Sequence, residues 1–160
     1  MENYPSAVKF KAEVETVLGD QEKLGQILIM SEAEARRKYG DRLTIAALSA
    51  LEKSTSDDGL VEVRVLHDGT NGVDLNTFIL VKDGGISPMA ADMKAALRHQ
   101  AARQRPYWGL TADIKGAHRL VAVRPEDWPL IACQLEAGGE VFLNTVGTFG
   151  VASAHTGGAG

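Results

Sequence analysis

A polar break between Ser54 and Gly59 separates two parts of the chain with different periodicities, and this change most restricts the possible folds. Before the break, apolar residues such as Val14 and Leu18 recur at helical spacing. After it, valines in residues 61–65 alternate with charged residues, which is the pattern of a half-exposed strand. The sequence therefore predicts an α+β fold in which N-terminal helices precede an antiparallel sheet with packed helices.

Four helices are predicted before the break, at residues 6–18, 21–30, 31–40 and 43–53. Gly19 and Asp20 are expected to separate the first two. Ser31 and Glu34 have the spacing of a capping box, and Gly40 is a stop signal for that third helix. The fourth is predicted because the segment is rich in Ala and Leu.

Strands predominate in the rest of the chain. The polar turn at 68–72 predicts a hairpin in which residues 75–82 pair with the 61–65 strand. A basic helix is predicted at 89–104, and further strands at 107–112, 119–123, 130–136 and 140–146. We divide the chain into a helical lead-in (1–58), a second region (59–154) and a disordered tail (155–160).

Composition limits the class of protein. A chain of 160 residues has the length of one ordinary domain. No apolar run is long enough to span a bilayer and no signal peptide is recognisable, so an intracellular protein without membrane contact is expected. Cys133 is the only cysteine, which rules out an internal disulfide, and its apolar surroundings predict a buried thiol.

Charge is unevenly distributed along the chain. The net charge of -4 argues against a general nucleic-acid binder, but residues 89–130 contain seven basic and four acidic side chains. Residues 1–60 have the opposite bias, with eight basic and eleven acidic side chains. The basic segment keeps nucleic-acid binding open, and the alternative is a pair of solvated helix faces.

Asp113 is the strongest candidate for a metal ligand, because it follows the predicted 107–112 strand and precedes a Gly-containing turn. Mg²⁺ prefers hard oxygen ligands and is usually bound by one or two carboxylates together with substrate phosphates. Gly116 and Ala117 are small enough to let backbone N–H groups approach a triphosphate. The alternative is that Asp113 caps an element or forms a turn.

Three segments, in order, extend this pattern. The first is Arg64 to Asp68, followed by Asn76; the second is Asp113-Ile114-Lys115-Gly116-Ala117-His118; the third is Gly147 to Ala154. Together they resemble the fingers hairpin and the first two palm signatures of retroelement reverse transcriptases. The resemblance implies a fingers and partial palm fold over roughly residues 60–154.

The resemblance also implies roles for these residues. Asp113 would be the catalytic Mg²⁺ or Mn²⁺ ligand, Arg64 would contact the incoming triphosphate, and Lys115, Gly116, Ala117 and His118 would line the nucleotide pocket. Thr148, Phe149 and Gly150 would position the template and base. Two positions depart from the family pattern: His118 stands where an aromatic gate against the ribose 2′-hydroxyl is usual, and Thr148 stands where proline is usual.

The family's following Asp-Asp pair has no counterpart in this sequence, and Asp57-Asp58 lie too early to supply it. We therefore expect a fragment of an RNA-directed DNA polymerase that is inactive alone, since one matched carboxylate does not position two metals. The expected partners are a template-primer and deoxynucleoside triphosphates, with possible self-association through an exposed sheet edge. Two alternatives stay open: a non-catalytic retroelement-derived module that binds nucleic acid or protein, and an unrelated α+β domain.

Overall fold

The computed structural model describes residues 2–55, 59–80, 89–103 and 112–151. The α-helices in these ranges are Pro5–Lys9 (α1), Lys11–Lys23 (α2), Glu32–Tyr39 (α3), Leu75–Phe78 (α4) and Ala90–Arg103 (α5). The strands are Ile27–Ser31 (β1), Ile45–Ala46 (β2), Leu48–Thr55 (β3), Val61–His67 (β4), Ala132–Gln134 (β5) and Glu140–Asn144 (β6). Short 3-10 helices occupy Gly40–Arg42, Ala117–Leu120 and Pro125–Ile131.

A four-stranded sheet has the strand order β1-β6-β5-β2. β6 pairs antiparallel with both β1 and β5, whereas β2 runs parallel to β5. Leu143 on β6 lies opposite Leu28 on β1 and opposite Ala132 on β5. Phe142 packs in the cluster that contains Val14, and Val141 and Leu143 pack in a second cluster that contains Ala35, so both faces of β6 are covered and its last four residues are buried. This explains why the segment is a continuous apolar run rather than an alternating one.

A second sheet consists of β3 and β4, paired antiparallel. Helix α1 packs against β3, and α2 packs against β4 and β1. The side chains of Val14 and Leu18 enter one core cluster with Leu48 and Val63 of the hairpin. Helix α2 thus joins the two sheets through apolar burial, which is the main driving force for such packing.

The α+β class predicted from the sequence is confirmed. So is the third helix: the Glu34 backbone N–H donates to the Ser31 hydroxyl at 3.2 Å, and Gly40 follows the last residue of α3. The half-exposed strand at 61–65, the basic helix near 89–104 and the strands within 130–136 and 140–146 are confirmed as β4, α5, β5 and β6.

Two predicted helices in the lead-in are wrong. Gly19 and Asp20 do not interrupt α2, and the segment after Gly25 is the strand β1, which pairs with β6. The Ala- and Leu-rich segment 43–53 contains β2 and most of β3 instead of a helix. Helix propensity is a weak preference, and here strand pairing outweighs it. The lead-in is therefore only partly helical.

The predicted partner of β4 is also wrong, because β3 pairs with it while residues 75–78 form the short helix α4. The predicted strand at 119–123 is replaced by the end of a 3-10 helix and an isolated bridge between Ala122 and Val146. A longer 3-10 helix, Pro125–Ile131, leads into β5. The predicted strand before Asp113 and the tail at 155–160 lie outside the described residues, apart from Ala112, which is in no regular element.

Candidate functional site

A cavity of about 690 Å³ lies beside the β3–β4 hairpin. Its lining comes from α2, the hairpin, the segment 113–119, the adjoining strands β5 and β6, and the loop after β6. Of the residues singled out from the sequence, those that line it are Arg64, Asp113, Lys115, Gly116, Ala117, His118, Thr148 and Phe149. Three segments far apart in the sequence therefore meet around one space.

Phe149 is the side chain at which these segments meet. The guanidinium carbon of Arg64 lies 4.8 Å from the centre of the Phe149 ring, within the range of a cation–π contact. The His118 ring contacts the same phenyl group, with ring centres 3.7 Å apart and planes tilted by 46°. Arg64 is exposed on β4, whereas His118 and Phe149 are half-buried. A guanidinium and two rings therefore form one edge of the cavity, which we call the aromatic edge.

Asp113 lies at the opening of the cavity and is exposed. After it, the chain turns through Lys115 and Gly116, and Gly116 has a left-handed φ of 66° that favours glycine. The Ala117 N–H donates to the Ile114 carbonyl at 3.2 Å. That N–H is thus already used within the turn, which corrects the expectation that it is free to approach a triphosphate.

The glycines of the loop after β6 are required for backbone packing. A Cβ atom at Gly147 would lie 2.6 Å from the His118 carbonyl oxygen, and one at Gly150 would lie 1.8 Å from the His67 carbonyl oxygen. Both distances are shorter than Cβ contacts in real proteins. At both glycines the loop therefore lies directly against the chain's own backbone.

Gly150 itself is not among the described residues that line the cavity. Its carbonyl accepts a 2.7 Å hydrogen bond from the Asn76 side chain, and the neighbouring Phe149 carbonyl accepts one from the His67 N–H at 2.9 Å. These bonds tie the loop to the end of β4. Gly150 supports the aromatic edge without contributing a surface to it.

Asp68 organises the turn after β4. One carboxylate oxygen accepts hydrogen bonds from the backbone N–H groups of Thr70 and Asn71, at 2.9 and 3.0 Å. The other accepts a 2.5 Å hydrogen bond from the Tyr4 hydroxyl. Within the first segment of the reverse-transcriptase resemblance, Arg64 thus lines the cavity, while Asp68 and Asn76 hold the surrounding loops.

Sequence reasoning missed Arg119, which lines the cavity and is half-buried. One terminal nitrogen donates to the Asn144 side-chain oxygen at 2.7 Å and to the Gly147 carbonyl at 3.3 Å. The other terminal nitrogen donates to the Gln21 side chain. We call Gln21, Arg119 and Asn144 the polar floor. The only sequence signal was the position of Arg119 directly after His118.

Burial is the main influence on the Arg119 guanidinium, and it lowers its pKa to about 10. Arg119 therefore stays charged at neutral pH. Its described hydrogen-bond acceptors are amide and carbonyl oxygens, and no carboxylate among the described residues forms an ion pair with it. A partly buried cation with only neutral partners leaves a positive potential in the cavity.

His67 lies next to the polar floor and is buried. Its Nε2 is 3.0 Å from the Ala132 carbonyl oxygen, so Nε2 bears the proton and donates, while the buried Nδ1 has no hydrogen-bond partner among the described residues. Burial lowers the pKa of the ring. The imidazole is therefore neutral at pH 7 and does not add to the charge of the cavity.

The formal charges around the cavity favour an anion. Within the described ranges, four cationic side chains line it against two carboxylates: Lys53, Arg64, Lys115 and Arg119, with Glu62 and Asp113. Glu62 forms a 2.7 Å ion pair with Lys53, so the charges of these two side chains cancel. The remaining excess of positive charge attracts anionic ligands into a concave surface.

The cavity offers fewer groups for binding a metal ion than for binding an anion. The described residues contain no group of three or more His, Cys, Asp or Glu side chains arranged to hold a metal ion. Asp113 by itself could provide one oxygen ligand, and a ligand phosphate would have to supply others, as is common for Mg²⁺. Cys133 is buried and unpaired, and burial raises its pKa to about 12, so it is an unreactive thiol at neutral pH.

No protein family, curated protein or solved structure matches the chain. The helices of the described ranges are all too short or too polar to cross a membrane.

Proposed function

We propose that this chain is the fingers and partial palm portion of an RNA-directed DNA polymerase, and that its cavity binds a deoxynucleoside triphosphate. The observation that carries the proposal is the contact of Arg64, His118 and Phe149 at the aromatic edge, beside Asp113. These residues belong to the three segments that resemble reverse transcriptases, and nothing in their sequence separation alone requires them to meet.

The chemistry of the cavity suits such a ligand. A guanidinium binds phosphate oxygens through paired N–H donors, and rings offer a surface for a sugar or base. In this proposal Arg64 and Lys115 bind the triphosphate, His118 and Phe149 contact the nucleoside, and Thr148 borders the template side. Asp113 would hold Mg²⁺ or Mn²⁺, which neutralises phosphate charge in nucleotidyl transfer.

The reaction of a complete enzyme would be attack of a primer 3′-hydroxyl on the α-phosphate of the nucleotide, with release of pyrophosphate. Such transfer depends on positioning and on stabilisation of developing charge. In this proposal Asp113 is the one carboxylate assigned to a metal, and its support is that it lines the same cavity as the aromatic edge. We therefore propose nucleotide binding, without turnover, as the measurable activity of this chain.

Calorimetric titration with a deoxynucleoside triphosphate and Mg²⁺ tests the proposal. Arg64→Ala should weaken binding by about tenfold, since a hydrogen bond to a charged group is worth roughly 1.5–3 kcal/mol and Arg64 is partly solvated. Arg37→Ala, an exposed arginine on α3, is the matched control and should bind as the wild type does. Equal affinity of wild type and Arg64→Ala would remove Arg64 from the site and with it the main support for the proposal.

Asp113→Asn tests the metal separately. We expect it to abolish most of the affinity gained by adding Mg²⁺ while leaving the fold intact, because Asp113 is exposed. Asp41→Asn, an exposed carboxylate in the 3-10 helix Gly40–Arg42, is the control. If the Mg²⁺ dependence of Asp113→Asn matches that of the wild type, Asp113 is not a metal ligand.

A second candidate, a non-catalytic module that binds nucleic acid or protein, is favoured by α5. Met89, Met93 and Leu97 recur every four residues and are all exposed, and Lys94 and Arg98 lie among them. Such a helix suits docking onto a partner. Salt-dependent binding of a primer-template, lost on replacing both Lys94 and Arg98 by Ala, with no nucleotide affinity in the cavity, would select this candidate.

A further inference from the structure

We infer that the polar floor is an oxyanion subsite in which Arg119 binds a terminal phosphate group of the cavity's ligand. This inference deepens the proposed function and rests on it for the identity of the ligand, but the subsite is argued from different residues. Its chemical class of ligand is a polyphosphate, of which inorganic tripolyphosphate is the simplest probe.

The first argument is the position of Arg119. It lines the cavity together with Gln21 and Asn144, while Arg64 and Phe149 line the same cavity at the aromatic edge. Both cationic groups, Arg64 and Arg119, thus line the same cavity. A ligand with several anionic groups in a row is suited to contact both.

The second argument is the geometry of the side chain. Hydrogen bonds from Arg119 to Asn144 and Gly147 fix the plane of its guanidinium, and the bond to Gln21 fixes the other terminal nitrogen. A fixed guanidinium has already lost the side-chain freedom that a mobile arginine loses on binding. Because an arginine has five N–H donors, these three bonds leave donors over for a ligand.

The third argument is electrostatic. The floor holds its cation against neutral acceptors, and His67 beside it is a neutral ring. Burying a charge without an opposite charge is unfavourable, and an oxyanion in the cavity would relieve that cost.

Binding of tripolyphosphate without Mg²⁺, measured by calorimetry on wild type, Arg119→Gln and Arg119→Lys, tests the inference. Arg119→Gln should bind about tenfold or more weakly, because a charged hydrogen bond is lost, and Arg119→Lys should fall between it and the wild type. Arg124→Gln is the control, since Arg124 belongs to the same stretch of chain but its side chain is 82% exposed. Wild-type affinity in folded Arg119→Gln, or no binding by the wild type, would overturn the subsite.

If Arg119→Gln fails to fold, an NMR titration of the wild-type protein tests the subsite. In ¹⁵N-labelled protein the Nε–Hε signal of Arg119, assigned with Arg119→Lys, should shift when tripolyphosphate is added. An unshifted signal overturns the inference. Tripolyphosphate lacks a base and sugar, so the two proposals can fail separately. If tripolyphosphate binding depends on Arg119 but nucleotides bind no better than tripolyphosphate, only the polymerase proposal is rejected. If nucleotide binding depends on Arg64 and not on Arg119, only the subsite is rejected.

Discussion

Helices α2 and α5 have nearly the same length, 13 and 14 residues, but they differ completely in what they bury. Helix α2 places Val14 and Leu18 in the core between the hairpin and β1, whereas α5 buries none of its residues. Their amphipathic character is similar, so the helical pattern by itself does not distinguish them. What differs is the presence of a complementary apolar surface, which α2 finds in β4 and β1.

Packing in the core fixes the position of some parts of the chain but not of others. The aromatic edge and the polar floor are built on the α2 side, since Gln21 of α2 bonds Arg119. None of the described residues covers the apolar side chains of helix α5. Substitutions should therefore be costly near α2 and nearly silent in α5.

The largest expected effect is that of Leu18→Ala. Leu18 is 2% exposed and packs in the core cluster, so its truncation should lower the free energy of unfolding by about 2–4 kcal/mol. Urea unfolding followed by circular dichroism measures this. A loss below about 1 kcal/mol would show that α2 does not depend on this contact and would weaken the comparison.

Gly150→Ala should have the next largest effect, because Gly150 has a left-handed φ of 93° and its added Cβ would collide with the His67 carbonyl oxygen. We expect a loss of roughly 1–3 kcal/mol together with displacement of Phe149 from the aromatic edge. Urea unfolding measures the loss of stability, and a fall in nucleotide affinity reports the displacement of Phe149. Gly138→Ala, at a left-handed glycine with open space around it, separates backbone strain from the collision.

Leu97→Ala in α5 should have the smallest effect and is the direct counterpart of Leu18→Ala. Leu97 is 58% exposed, so its truncation should change the free energy of unfolding by less than about 0.5 kcal/mol. The same urea measurement applies to both variants. A loss comparable to that of Leu18→Ala would mean that α5 is packed against another part of the protein, and the contrast between the two helices would disappear.

Local signals in the sequence were sufficient for several elements. The capping residues Ser31 and Gly40 identified α3, and the alternation of residues 61–65 identified β4. They were insufficient for β1, a short strand that follows α2 closely, and for β3, whose Ala and Leu residues favour helix locally. Those two strands exist because β6 and β4 offer backbone partners distant in sequence, and no local window contains that information.

For the candidate site, the sequence identified most of the cavity-lining residues that the motifs contain, but it missed Arg119. An arginine in a basic stretch looks like a solvated side chain. Only the hydrogen bonds to Gln21 and Asn144 distinguish it, and these partners are 98 and 25 residues away. The role expected for Gly150 also changed, from facing a base to packing against His67.

Three properties follow from composition and from patterns within a few residues, and the sequence was sufficient to predict them. They are the α+β class, the burial of the solitary cysteine and the residue types available for binding an anion. The tertiary structure alone decided the strand pairings, the contact of Arg64 and His118 with Phe149, and the burial of Arg119. These depend on which distant segments share one core, and the free energy of apolar burial and backbone pairing is set by the whole fold rather than by any segment.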